Sequence, residues 1–220
     1  PPQVPLGEWR HSWKSPGIAM GKVRHRGVDL VTSVDAEVQP LRGEISYGDL
    51  DKALEDEGID MFACKEGRWL RLGSAITDDE GLFELDLVGD GRLEEGLTSV
   101  YVSVVGDRTG VEFLALVLPS GGQLVVSDVD GTLTSSENAF PAALFSREQV
   151  LAHDGAPRAI ATLAERGYHP VYLTSRGRVF TDSTRAWLAA NGFPRGPVRL
   201  APTLVTLPGE YTSAYKASTM

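Results

Sequence analysis

The run Gln123–Leu124–Val125–Val126–Ser127–Asp128–Val129–Asp130–Gly131–Thr132–Leu133–Thr134 constrains this chain more than any other stretch. It reads as a short β-branched strand that stops abruptly in two carboxylates, a glycine and threonines. In an extended segment Asp128 and Asp130 project to the same side. Two carboxylates held together at a strand end repel each other unless a cation or a proton compensates. An ordinary turn before Gly needs one Asp or Asn, not an Asp-x-Asp pair behind an apolar strand. The pattern therefore points to chemistry at a strand tip.

The texture of the 220-residue chain changes at Pro119–Ser120–Gly121–Gly122. Before it, short β-rich runs alternate with turn signals: Val28–Val34, Leu41–Tyr47, Ile59–Cys64, Trp69–Leu72, Leu82–Leu87, Ser99–Val105 and Glu112–Leu118. Seven strands at that spacing predict an antiparallel β-sandwich over residues 21–119, behind an N-terminal arm of residues 1–20. Asp49–Glu57 is expected to add a helical turn. After the break the order is strand, helix, strand, helix, strand: Leu124–Ser127, Ala156–Arg166, Pro170–Leu173, Thr181–Ala190 and Val198–Leu200. That order predicts a Rossmann-like parallel α/β domain over residues 123–220 with right-handed crossovers. About twenty residues separate Thr134 from the first helix, too few for a separate cap domain, so the strand tips should be open.

The second strand of this domain runs His169–Pro170–Val171–Tyr172–Leu173 into Thr174–Ser175–Arg176. Ligands of open α/β sheets bind at the carboxyl ends of strands, which is where these hydroxyls and this guanidinium fall. Arg176 suits either bidentate phosphate pairing or a structural ion pair.

The Asp128–Thr132 run resembles the first motif of the haloacid dehalogenase superfamily of phosphotransferases, Asp-x-Asp-Gly-Thr. The resemblance implies that Asp128 is a nucleophile forming an aspartyl-phosphate and that Asp130 is the general acid/base. It also implies Mg2+ held by Asp128 and by Asp130 through its carbonyl, with Thr132 near the phosphate. Mg2+ would offset the repulsion between a carboxylate and a phosphate. Thr174 takes the place of the second motif's hydroxyl, with Ser175 as the neighbouring candidate and Arg176 as a phosphate partner. Lys216 is the candidate for the third motif's cation. Together with Arg195–Gly196–Pro197, these motifs look like the lipin/Nir-type phosphatase domain and its bacterial relatives, over about Val125 to Lys216. That group includes Mg2+-dependent phosphatidate phosphatases, often preceded by a β-sandwich. The family's fourth, acidic motif has no counterpart after Lys216, so the chain is expected to stop short of a complete metal site.

The leading expectation is thus a Mg2+-dependent phosphomonoesterase acting on phosphatidate-like or other bulky substrates, with peripheral membrane contact. One alternative is a lipid- or protein-binding module on an inactive phosphatase scaffold; the retained Asp130 favours the enzyme. A nucleic-acid end phosphatase is disfavoured, and no nucleic-acid partner is expected, because the net charge is −9.

The remaining features are weaker. Cys64 is a single cysteine, expected as a small strand residue rather than a disulfide partner. The acidic turn Thr77–Asp78–Asp79–Glu80–Gly81 reads as a hairpin turn ahead of a Ca2+ loop. Trp9 and Trp13 in the arm suit docking onto the sandwich, with anchoring at a membrane interface as the alternative. The chain opens on Pro1–Pro2 without an initiator Met or signal peptide, so the natural N-terminus is expected to have been removed by processing or by truncation, and a soluble protein, cytoplasmic or exported, fits equally.

Overall fold

The computed structural model describes residues 1–135 and 150–201. The chain divides into two units, Pro1–Ser120 and Gly121–Met220, and each has its own apolar core.

The first unit opens with a short helix, α1 (Lys14–Ala19). Ten strands follow: β1 (Arg26–Val28), β2 (Leu30–Ser33), β3 (Val38–Glu44), β4 (Ser46–Tyr47), β5 (Lys52–Ala53), β6 (Gly58–Lys65), β7 (Arg68–Ile76), β8 (Leu82–Val88), β9 (Gly96–Val104) and β10 (Gly110–Leu118). They form a three-stranded sheet in the order β1-β3-β8 and a five-stranded sheet in the order β2-β10-β9-β6-β7, with β4 and β5 paired apart. The core lies between the two larger sheets. Leu41, Phe83 and Leu87 from one meet Ile59, Met61, Val100, Val102 and Phe113 from the other. The residues that enter this core, Ile59 and Met61 on β6 and Val100, Val102 and Val104 on β9, recur every second position, because successive strand side chains point to opposite faces.

Two sequence runs that read as single strands are each divided. Val28–Val34 becomes β1 and β2, which pair with different sheets. The change of sheet falls at Asp29, whose buried carboxylate accepts the backbone N–H of Leu114 at 2.7 Å. That side-chain oxygen stands in for a strand partner where the chain leaves one ladder for the other. β2 then runs parallel to β10, so the sandwich holds a parallel pair among otherwise antiparallel ones. The helical turn expected over Asp49–Glu57 is corrected. Asp51 and Asp56 take left-handed dihedrals, φ +49° and +47°, and β5 pairs back on β4. Asp tolerates that region better than most residues, and a single left-handed residue interrupts a right-handed helix. The acidic turn is a tight turn at the start of β8, with the Asp78 carboxylate accepting from Glu80 and Leu82 N–H at 2.9 and 2.8 Å. Cys64 sits half-buried on β6 opposite Trp69.

The arm is fastened to this sandwich by a buried glutamate. Glu57 is fully buried and accepts the backbone N–H groups of Arg10 and His11 at 3.0 and 2.9 Å. Trp9 packs so closely over Gly106 that a Cβ there would lie 2.1 Å from the indole. Trp9 thus docks as expected. Trp13 does not, being 95% exposed.

A second buried polar network joins β4, the β9–β10 turn and the segment before β1. His25 Nδ1 meets the Ser46 carbonyl at 3.1 Å and Nε2 meets Thr109 Oγ1 at 2.9 Å. The Tyr47 hydroxyl donates to Asp107 at 2.8 Å and lies 2.7 Å from the same Thr109 oxygen. Every polar member is partnered, so burying the group costs little.

The second unit is a three-stranded parallel sheet, β11 (Leu124–Asp128), β12 (His169–Gly177) and β13 (Val198–Ala201), in that order. α2 (Ala156–Glu165) joins β11 to β12 and α3 (Thr181–Ala190) joins β12 to β13. Gly155, at φ +80°, admits the chain to α2, and Pro157 occupies its first turn. Val129, Leu133, Ile160, Tyr172, Trp187 and Phe193 build the core. Gly196, in the Arg195–Gly196–Pro197 motif, is required by proximity: a Cβ would stand 2.2 Å from the Pro170 carbonyl oxygen.

Burial lowers the His25 pKa to about 4, against the opposing pull of Asp107 and of the Ser46 carbonyl. Between pH 6.5 and 4 the unfolded chain therefore binds a proton that the folded sandwich does not. Stability should fall as pH drops through that window, by roughly 3 kcal/mol for a shift of this size, and level off below it. Urea unfolding of the 220-residue chain at a series of pH values measures this slope. His25→Gln should remove that contribution.

Candidate functional site

The site grows from the end of β11. Leu124–Asp128 pairs with His169–Leu173, and the Val129 N–H continues onto the Leu173 carbonyl at 3.0 Å. The chain then turns sharply. The Val129 carbonyl accepts from both Leu133 and Thr134 N–H at 3.0 Å, and Gly131 N–H donates to Thr134 Oγ1 at 2.9 Å. Gly131 has φ +75°, which a glycine adopts without strain. Val129 is fully buried between two half-buried aspartates, so the alternation read from sequence fixes both carboxylates at the strand tip.

Asp130 is the centre of the arrangement. Arg176 Nε lies 3.0 and 3.1 Å from its two oxygens, and Arg176 Nη2 donates to Oδ1 at 2.5 Å. Thr174, fully buried, donates its hydroxyl to Oδ2 at 2.7 Å. The remaining guanidinium nitrogen, Nη1, donates to Thr184 Oγ1 on α3 at 3.1 Å. Thr174 and Arg176 both reach Asp130 from the end of β12, where its pairing with β13 becomes irregular. The side chains of Arg176 and Asp130 are only 7% and 19% exposed. Burial pulls the Arg176 pKa below its usual value, while the hydrogen bonds and charge of Asp130, and then the charge of Asp128, push it back up. An arginine still stays cationic.

The structure therefore brings Asp130, Thr174 and Arg176 into direct contact, with Asp128 close enough for its charge to act on the same guanidinium. Thr132 is exposed on the turn and Ser175 is half-buried. Lys216 lies outside the described residues. Thr184 was not singled out from the sequence. Its signal was slight: a hydroxyl in the first turn of the helix that follows the Thr174–Arg176 strand.

A Mg2+ ion needs several oxygen ligands. As placed, both Asp130 oxygens face a guanidinium, and among the described residues no group of three or more His, Cys, Asp or Glu side chains is arranged to hold a metal. The ligands implied for it are Asp128 and the Asp130 carbonyl at the end of β11, and no chemical step is assigned through the ion. What the arrangement does is neutralise one half-buried carboxylate and tie the end of β11, β12 and α3 together.

The fold and this site belong to a β-sandwich followed by an α/β domain of lipin-like kind. Residues 23–117 match the family model "PITM 1-3, beta-sandwich domain" and residues 125–220 match "PITM 1-3, LNS2 domain". The chain is a β-sandwich domain followed by an LNS2 domain, homologous to membrane-associated phosphatidylinositol transfer proteins. It is 28% identical over 208 residues to human membrane-associated phosphatidylinositol transfer protein 3, covering 93% of this chain and 21% of that protein. Protein retinal degeneration B of Drosophila melanogaster is 27% identical over 218 residues, covering 97% of this chain and 17% of that protein. The rat membrane-associated phosphatidylinositol transfer protein 1 is 28% identical over 201 residues, 90% of this chain and 16% of that protein. The chain thus spans about a fifth or less of the length of these relatives.

These names correct the expectation of a phosphatase. Two of these three relatives are called phosphatidylinositol transfer proteins, and none is called a hydrolase. The physical reason the sequence misled is visible at Asp130. Retention of that aspartate favoured an enzyme, but its oxygens are engaged by Arg176 and Thr174.

Removing one partner of a buried ion pair leaves the other uncompensated, so Arg176→Ala should destabilise the second unit by roughly 3 kcal/mol. The double variant Asp130→Ala/Arg176→Ala should cost clearly less than the sum of the two single changes. Denaturant unfolding of the four proteins measures the coupling. Additive costs would show that the pair contributes no interaction energy.

Proposed function

We propose that this chain is a phospholipid-binding module in which the α/β unit keeps a phosphatase-type scaffold without turnover. The observation that carries the reading is the Arg176 clasp on Asp130, reinforced by Thr174. An acid/base residue must exchange its proton with a leaving group at hydrogen-bond distance. A carboxylate paired to arginine and hydrogen-bonded on both oxygens is turned toward protein groups. The designations of the relatives, membrane-associated and phosphatidylinositol transfer, support a lipid as the ligand.

The proposed ligand class is an anionic phospholipid with an accessible phosphate. Its contacts would be the exposed Thr132 on the turn after β11 and the half-buried Ser175 on β12. The spacing between Thr134 and α2 leaves too few residues for a separate cap domain, which suits a bulky ligand presented at a surface.

Two measurements test the reading. The 220-residue chain should bind soluble short-chain phosphatidate or phosphatidylinositol in calorimetric titration, and Thr132→Glu should weaken that binding severalfold by placing a negative charge on the turn. Incubation with phosphatidate should release no inorganic phosphate above a protein-free control. Phosphate release would restore catalysis, and the lack of any binding would remove the lipid reading.

A further inference from the structure

We infer that one end of the sandwich, carrying Trp13, Met20 and Leu50, inserts into the surface of a lipid bilayer. The proposal goes beyond the headgroup reading above and stands on different residues. These three side chains are 95%, 90% and 94% exposed, far more than other large apolar residues of the sandwich such as Leu70 at 51% or Val88 at 56%.

The backbone gathers them. Trp13 and Met20 flank the six-residue α1 and both have right-handed helical dihedrals, so the helical phase runs through them. Seven residues make almost two full turns, which puts Trp13, Gly17 and Met20 on one outward stripe. The opposite stripe faces the sandwich: Ser15 is buried, and Ile18 and Ala19 pack on its core. The exit of α1 lies against the turn that bears Leu50. Gly48 N–H donates to the Lys22 carbonyl at 2.7 Å, and a Cβ on Gly21 would come within 2.8 Å of Gly48 N. An isolated bridge between Val23 and Tyr47 fixes the same edge, and Val23 is itself 39% exposed.

The occupant follows from area and chemistry. Three such side chains offer on the order of 500 Å2, below the roughly 800 Å2 per partner of a stable protein interface. They include a tryptophan, whose indole suits the boundary between water and acyl chains. The rim is electrically mixed. Lys14, Lys22 and Lys52 stand beside Asp49 and Glu55, and Lys14 pairs with Glu55 at 2.5 Å. Binding should therefore depend on apolar insertion, with little dependence on lipid charge or salt.

The test uses the 220-residue chain and vesicles of phosphatidylcholine, with a second set in which the acyl chains are brominated. Wild-type protein should partition onto both, and the brominated chains should quench part of its tryptophan emission. Trp13→Ser/Met20→Ser/Leu50→Ser should lower partitioning by roughly 10- to 100-fold. The control Leu70→Ser/Val88→Ser should leave it unchanged. Unaltered partitioning of the triple variant would overturn the proposal, as would failure of the wild type to bind these vesicles. A wild-type dimer in sedimentation that the triple variant disperses, with vesicle binding unaffected, would assign the face to a second copy instead. Because soluble phosphatidate reports on the turn at Thr132 without a bilayer, failure of the headgroup reading and failure of this one are separable.

Discussion

Two carboxylates at the end of a parallel strand require a counter-charge, and the α/β unit is organised around supplying it. Arg176 comes from the adjacent strand, reaches Asp130 with two of its nitrogens and spends the third on Thr184. Three elements that the chain visits at different times are thereby held by one side chain. Thr174 completes the arrangement from the same end of β12. An arginine suits this role because its donors lie in one rigid plane and its charge survives burial.

The sandwich solves a related problem with neutral and singly charged groups. Asp29, Glu57 and His25 are all buried, and each meets backbone or hydroxyl partners. Each also sits where the chain does something a regular ladder cannot. Asp29 stands at the change of sheet, Glu57 receives the arm, and His25 links the β4 edge to the β9–β10 turn. Buried polar residues here specify connections that the apolar core alone leaves open.

In the proposed readings the two units would offer a lipid different chemistries. The strand tips present hydroxyls around a neutralised carboxylate. The end of the sandwich presents three apolar side chains to solvent, one of them the tryptophan that the sequence left between docking and membrane anchoring. Trp9 and Trp13 took opposite outcomes because Gly106 leaves room for an indole over the sandwich, whereas the stripe carrying Trp13 points away from the core.

The sequence by itself determined the two textures, the sandwich before the α/β unit, and the placement of Asp128 and Asp130 at a strand tip. These follow from local periodicity: alternation of apolar residues, β-branched runs and turn residues act over a few positions and need no distant partner. It also identified Thr174 and Arg176 as members of the same neighbourhood, since both end one strand. What it left open was the direction in which Arg176 points, toward a ligand or toward Asp130. It left open too where Val28–Val34 divides and which of the two arm tryptophans docks. Those were decided by groups 46, 85 and 97 residues away along the chain, at Asp130, Leu114 and Gly106. A buried charge or an indole finds its partner through tertiary contact, and the energy of such contacts depends on distances in space that spacing along the chain does not encode.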